Sequence, residues 1–400
     1  MPNGGPGNSP GALEKEANSA GMTKTIEDRI PEYIRGISPY VPGKPVEEVE
    51  RELKIHAVKL ASNENPLGPS PLAVEAARVA LASANRYPDG GGFYLREKLS
   101  KRLGVPAGNI LLGNGTSELI DLAARCMLRP GEEAITSEGS FPLYSISIRA
   151  AGGRLVLVPQ REYTFDLEAI TRAVTPRTRL VYLSNPNNPT GTMFKADALD
   201  EFLDRVPPDV LVVLDEAYFE YVEQPGYSRS LDSVRAGKSL LVLRTFSKVY
   251  GLAGIRMGYG IGPAALLDQI NKFRAPFNTS GIAQAAALAA LDDAEHVRRS
   301  QESNRAGLGQ LAEGLRREGL RFVPSVANFV LVELDTDAQP VANELLGRGV
   351  IVRPMRWMGF PNAVRVSVGT ADENRKFLAE IGAALDALGV KRRDAAGQLR

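Results

Sequence analysis

Four hundred residues with 44% apolar side chains are enough for two packed cores rather than one. A formal net charge of +1 gives no pull towards nucleic acid or a membrane surface, and a single cysteine, Cys126, excludes an intrachain disulfide. Cys126 lies in an apolar helical run and reads as core filler, and a lone thiol suits a reducing cytoplasm.

Residues 1–25 are rich in Gly, Pro, Asn and Ser, which predicts a disordered tail, and Met22 offers an alternative start. The start of the chain lacks a charged-then-apolar signal pattern, and no apolar run approaches a membrane span. Residues 26–60 are expected to pack with a smaller C-terminal domain and with a partner. From 61 to 291, short apolar strands (110–112, 134–135, 155–158, 180–183, 210–214, 240–243 and 258–261) alternate with helical stretches. That alternation predicts an α/β domain with a mostly parallel sheet covered on both faces.

Asp89-Gly-Gly-Gly92 invites a phosphate-loop reading, but no strand precedes it, so a mobile turn before a helix over 94–103 is expected. Gly113-Asn-Gly115-Thr116-Ser117-Glu118 has better credentials. A strand breaks at glycines and a helix begins, with Thr/Ser at the cap and an acid in the first turn. Free N–H groups at such a start form an anion site. It lacks the third glycine of a dinucleotide fingerprint and the lysine of a P-loop.

Further along, Ser184-Asn-Pro-Asn-Asn188-Pro-Thr-Gly191 follows an apolar strand and is forced into a rigid turn that fixes the Asn188 amide. Leu211-Val-Val-Leu-Asp215-Glu-Ala-Tyr218 reads as a buried strand presenting Asp215 at its C-terminal edge, where open α/β sheets bind ligands. An aspartate there is by itself as good a helix cap or metal ligand. Thr245-Phe-Ser247-Lys248 places a lysine between small hydroxyls, ahead of closely spaced glycines and Arg256. A lysine in that setting can form a Schiff base while the hydroxyls and Arg256 hold a phosphate dianion, the two needs of pyridoxal 5'-phosphate. Asp215 can keep that cofactor's ring nitrogen protonated, and Asn188 and Tyr218 can bond its ring oxygen.

A helix is expected over 282–291, followed by a long, solvated connecting helix in the charged run 292–317. Strands at 322–323, 329–332, 351–352 and 364–367 then predict a smaller α+β domain over 292–390, with 391–400 as a tail. Trp357 lies in a loop near Arg365 and is equally a pocket or a core aromatic. His56 and His296 stand far apart without acidic partners at metal spacing, so no metal site is expected and both read as structural or surface residues.

Taken together, these motifs resemble the class I/II aminotransferases of the fold-type I pyridoxal phosphate enzymes, from about residue 30 to 388. Within them the chain is similar to the histidinol-phosphate subfamily, on Ser38-Pro-Tyr40-Val-Pro-Gly-Lys-Pro, Lys59-Leu-Ala-Ser-Asn63-Glu-Asn65-Pro, Asn85-Arg-Tyr87-Pro-Asp89 and Val364-Arg365-Val-Ser-Val-Gly-Thr370. The resemblance implies a fold with a large domain built on a seven-stranded, mostly parallel sheet. It implies that Lys248 holds the cofactor and, once released, shuttles a proton. Gly115, Thr116, Ser117, Thr245, Ser247 and Arg256 would hold the phosphate, and Phe141 would stack on the ring. Tyr87 would reach the phosphate in the other subunit of a homodimer with shared sites. Arg365 would clamp the substrate's anionic group, with Tyr40 and Asn63 beside it and Arg353 as a second anion contact. The implied reaction converts histidinol phosphate and 2-oxoglutarate to imidazole acetol phosphate and glutamate. An aromatic amino-acid aminotransferase and a phosphothreonine decarboxylase share these cofactor motifs. A transcription regulator with an aminotransferase-like sensor would need a DNA-binding module that the short polar extension does not supply.

Overall fold

The computed structural model describes residues 25–39 and 43–392. The expectations for residues 1–24, Tyr40 and 393–400 lie outside them. The short β1 (Val58–Lys59) leads into the large sheet, made of β2 (Ile110–Gly113), β3 (Glu133–Ser137), β4 (Arg154–Val158), β5 (Thr178–Ser184), β6 (Leu211–Asp215), β7 (Leu240–Thr245) and β8 (Gly258–Ile261). Their order across the sheet is β2-β8-β7-β6-β5-β3-β4, and only β8 runs against the rest. Apolar runs without alternation produce this arrangement because both faces are covered. In β5, Val181 and Leu183 enter one core while Leu180 and Tyr182 enter the other, and β6 divides Val212 and Leu214 from Leu211 and Val213 in the same way.

A second sheet holds β9 (Arg321–Val323), β10 (Phe329–Glu333), β12 (Arg353–Met355) and β13 (Phe360–Ser367), in the antiparallel order β12-β13-β10-β9. Between them, β11 (Val350–Ile351) leaves this sheet and pairs in parallel with β1, which joins the N-terminal segment to the C-terminal part. β12 was not expected: three residues with a central proline carry no strand periodicity.

The charged run forms one helix, Ala294–Arg317, solvated on its charged face and packed into the protein on the other. His296, Ser300, Asn304, Gly307, Leu311, Gly314 and Leu315 form a buried stripe at helical spacing. Among the described residues no helix is long and apolar enough to cross a membrane.

Candidate active site

Because β2, β6 and β7 run parallel, their C-terminal ends meet at one edge of the large sheet, and antiparallel β8 begins there. Gly258 of β8 faces Gly113 on one side and Thr245 on the other. A Cβ on Gly258 would lie 2.7 Å from the Thr116 nitrogen, so only glycine lets the Gly115–Met127 helix start against this strand. Gly115 has φ of +70°, and a Cβ there would come within 2.2 Å of Arg256 Nη2. Arg256 Nη1 in turn donates to Ala253 O at 3.1 Å and approaches Ser247 Oγ at 3.5 Å.

The helix start differs from expectation. Asn114 occupies the cap without a side-chain bond, Thr116 and Ser117 lie in the first turn, and Glu118 reaches back to the Asn114 nitrogen at 2.7 Å. With no side-chain cap from Asn114, the N–H groups of the first turn are left without that partner, as at a helix start that can take an anion. Thr116, Ser117, Thr245, Ser247 and Arg256 all line that cavity, which encloses about 190 Å³.

Asp215 ends β6 and forms the opposite wall. Its Oδ1 accepts from the Ala217 nitrogen at 3.1 Å and its Oδ2 from the Tyr144 hydroxyl at 2.8 Å. Burial nevertheless raises its pKa to about 6, because those bonds only partly offset the lost hydration. Tyr144 is fully buried, with its ring stacked on Tyr182 at 5.1 Å, so it serves as the hydroxyl partner of Asp215. Phe141 lines the cavity edge-on to Tyr144 at 5.6 Å.

Lys248 follows β7 and extends Nζ to within 3.3 Å of Ser62 O. Burial lowers its pKa to about 8, and the nearby Arg365 guanidinium pushes it the same way. Its amine stands 5.5 Å from the Tyr218 ring, whose hydroxyl accepts from Asn63 Nδ2 at 3.0 Å. Arg365, from β13, donates through Nη1 to Asn188 Oδ1 and through Nη2 to Ala61 O, both at 2.6 Å. A guanidinium only donates, so this contact fixes the Asn188 amide and leaves its NH₂ as the face offered to a ring oxygen.

Two expected site residues stand elsewhere. Arg353 is the cross-strand neighbour of Arg365, but its guanidinium lies 4.9 Å over the Trp357 ring and does not line this cavity. Tyr87 is 83% exposed and stacks on Phe277 at 4.7 Å, beside a second cavity that shares only Arg256 with the first. The turn at 89–92 is tied down by Asp89, which accepts from the Gly91 and Phe93 nitrogens at 2.8 and 2.7 Å. Ser62, Ser184 and Ala217 line the cavity without having been singled out for it, and Tyr144 lines it as well. The Phe141-Pro-Leu-Tyr144 spacing was the one available signal for Tyr144.

The donor set suits pyridoxal 5'-phosphate. Hydroxyls, a helix start and one arginine suit a dianion, a raised carboxylate suits a pyridinium, and a lysine of lowered basicity suits an aldehyde. The family model for aminotransferase class I and II matches residues 55–381. Histidinol-phosphate aminotransferase 1 of Nitrosococcus oceani is 50% identical over 346 residues, which cover 86% of this chain and 94% of that protein. The crystal structure of histidinol-phosphate aminotransferase from Sinorhizobium meliloti in complex with pyridoxal-5'-phosphate superposes with a TM-score of 0.83 at 29% identity, covering 90% of this chain and 98% of that one. Aspartate aminotransferase from Thermus thermophilus with maleate gives a TM-score of 0.77 at 26% identity, over 89% of this chain and 99% of that one. The chain belongs to the class I and II aminotransferase family.

Proposed function

We propose that the chain transfers the amino group of histidinol phosphate to 2-oxoglutarate, using pyridoxal 5'-phosphate, in histidine biosynthesis. The observation that carries this reading is the convergence of Lys248, Asp215 and the anion cradle on one cavity, in a chain half identical to a histidinol-phosphate aminotransferase.

Bound there, the cofactor supplies an aldehyde for the substrate amine and a ring that takes up the electron pair left when the substrate Cα–H bond breaks. Thr116, Ser117, Thr245, Ser247 and Arg256 bind the phosphate, with Gly115 giving Arg256 its room. Asp215 holds a proton on the ring nitrogen. Asn188 and Tyr218 orient the ring through its oxygen, and Phe141 covers one face. Lys248, whose amine gives up its proton more readily at a pKa lowered to about 8, would in its neutral form take the proton from the substrate carbon. Arg365 binds the anionic end of each substrate, a phosphate in one half-reaction and a carboxylate in the other. Asn63 borders the substrate side.

We further propose a homodimer with shared sites in the cytoplasm. Val79, Leu81, Phe93 and Tyr94, all near Tyr87 in sequence, are more than half exposed, and such exposed apolar side chains suit a second copy. The cavity beside Tyr87 meets the cofactor cavity at Arg256, so a partner's tyrosine has a route to the phosphate end.

A single half-reaction tests the substrate. Cofactor-loaded protein mixed with histidinol phosphate should lose its cofactor–lysine absorbance far faster than with phenylalanine. Equal or faster conversion by phenylalanine would make this an aromatic aminotransferase.

A further inference from the structure

Residues 62–65 cross over the catalytic lysine and touch its surroundings at three points. Ser62 O accepts from Lys248 Nζ at 3.3 Å, and Asn63 Nδ2 donates to the Tyr218 hydroxyl at 3.0 Å. Asn65 Nδ2 donates at 2.8 Å to the carbonyl of Val249, the residue after the lysine. The second hydrogen of the same amide goes to Ser300 Oγ, also at 2.8 Å, while Asn65 Oδ1 accepts from the Leu67 nitrogen at 3.0 Å. His296 Nε2 closes the cluster 3.5 Å from the amide nitrogen. Asn65, His296 and Ser300 are all buried. A buried amide with both hydrogens and its oxygen engaged is fixed in orientation, and rotating it would leave the Val249 carbonyl without this donor.

Ser300 lies on the Ala294–Arg317 helix, which belongs to both halves of the molecule. Val297 packs on the core of the large sheet, whereas Leu311 and Leu315 enter the core of the small sheet. The same helix sends Asn304 Nδ2 to Ala327 O at 3.2 Å, and Asn328 Nδ2 donates to Asn63 O at 3.0 Å. The 62–65 segment is therefore held from the small-sheet side and itself holds the backbone next to Lys248.

We infer that Asn65, anchored by Ser300, is a positioning residue for Lys248, through which the long helix couples the small sheet to the placement of the catalytic amine. The inference rests on Lys248 being the lysine that holds the cofactor. No group in the 62–65 segment has to touch substrate for this role: it sets the peptide that follows the lysine and so the point from which the amine swings.

The test uses cofactor-loaded Asn65→Ala, Ser300→Ala and Ser300→Thr, with Lys248→Ala as the control for the site itself. Asn65→Ala should lower kcat about tenfold, the scale of one lost buried hydrogen bond, with KM for histidinol phosphate nearly unchanged. It should also move the pH midpoint of the cofactor's absorbance. Ser300→Ala should move both in the same direction by less, and Ser300→Thr, which keeps the hydroxyl, should return them to the parental values. A parental kcat and absorbance midpoint in both alanine variants, with only a lower melting temperature, would reduce the cluster to packing and overturn the inference. Retained turnover in Lys248→Ala would instead reject the reading of the site, a result separable from the first. Should Asn65→Ala fail to fold, the two Ser300 variants decide the matter alone.

Discussion

The two ends of the cavity are built in different ways. The hydroxyl-lined end comes from short stretches where one strand gives way to a loop or helix: Gly115 to Ser117 after β2, and Thr245 to Lys248 from the last residue of β7 onward. The Arg365 end is stitched together over distance. Arg365 reaches Asn188 across 177 positions, and the Asn63 nitrogen meets Ser367 Oγ across 304, at 2.8 Å. A local motif can hold a cofactor on any member of a family, while long-range contacts can change with the substrate. The overall fold is common to an aspartate aminotransferase and a histidinol-phosphate aminotransferase of known structure.

The sharpest way to break this contrast is at Lys248. Lys248→Ala should cut turnover by at least about 10⁴-fold, the upper range for a lost proton-transfer group, since the covalent anchor goes as well. Stopped-flow absorbance checks it, and near-normal turnover would end the assignment. Next comes Asp215→Asn, which keeps the shape but removes the charge facing the ring nitrogen. A loss on the order of 10²–10³-fold in kcat is expected, as for other preorganised electrostatic contacts, with the cofactor still bound.

At the opposite end, Arg365→Ala removes the bonds to Asn188 and Ala61 together with the cation. It should raise KM for both substrates by roughly 10- to 100-fold, from about 1.5–3 kcal/mol per charge-assisted bond, while the cofactor spectrum persists. A spectrum lost with Arg365 would show that the two ends are not separate.

The same contrast decides what could be read from the sequence. Asp215 and Lys248 were legible because strand-end position and neighbouring residue types are local properties, as were the seven strands of the large sheet with their apolar runs. The role of Tyr144 was not, since its bond to Asp215 spans 71 positions. The packed face of the long helix was not legible because most of its buried stripe is small or polar, with large apolar residues only at Leu311 and Leu315. Gly307 and Gly314 are there for close approach: a Cβ on either would come within 2.3 Å of Val368 and Leu378 respectively. A stripe of that kind has burial without hydrophobic periodicity, so composition reports only the charged outer face.

The smallest expected effect lies at Tyr144, whose partner Asp215 is far off in sequence. Tyr144→Phe removes the 2.8 Å bond to Asp215 and little else, because the ring keeps its stack on Tyr182. That bond lowers the Asp215 pKa against the upward push of burial, so its loss must move the carboxylate above its present value of about 6. The folded, cofactor-free protein then retains the Asp215 proton to higher pH, and the charged form needed by a pyridinium is populated later. With cofactor bound, the acid limb of the kcat/KM profile should shift upward in pH and the plateau should fall by about tenfold or less. The decline should be steepest at the acid end. An unshifted acid limb would mean that the Ala217 nitrogen and the ring nitrogen hold the Asp215 charge without help from the tyrosine.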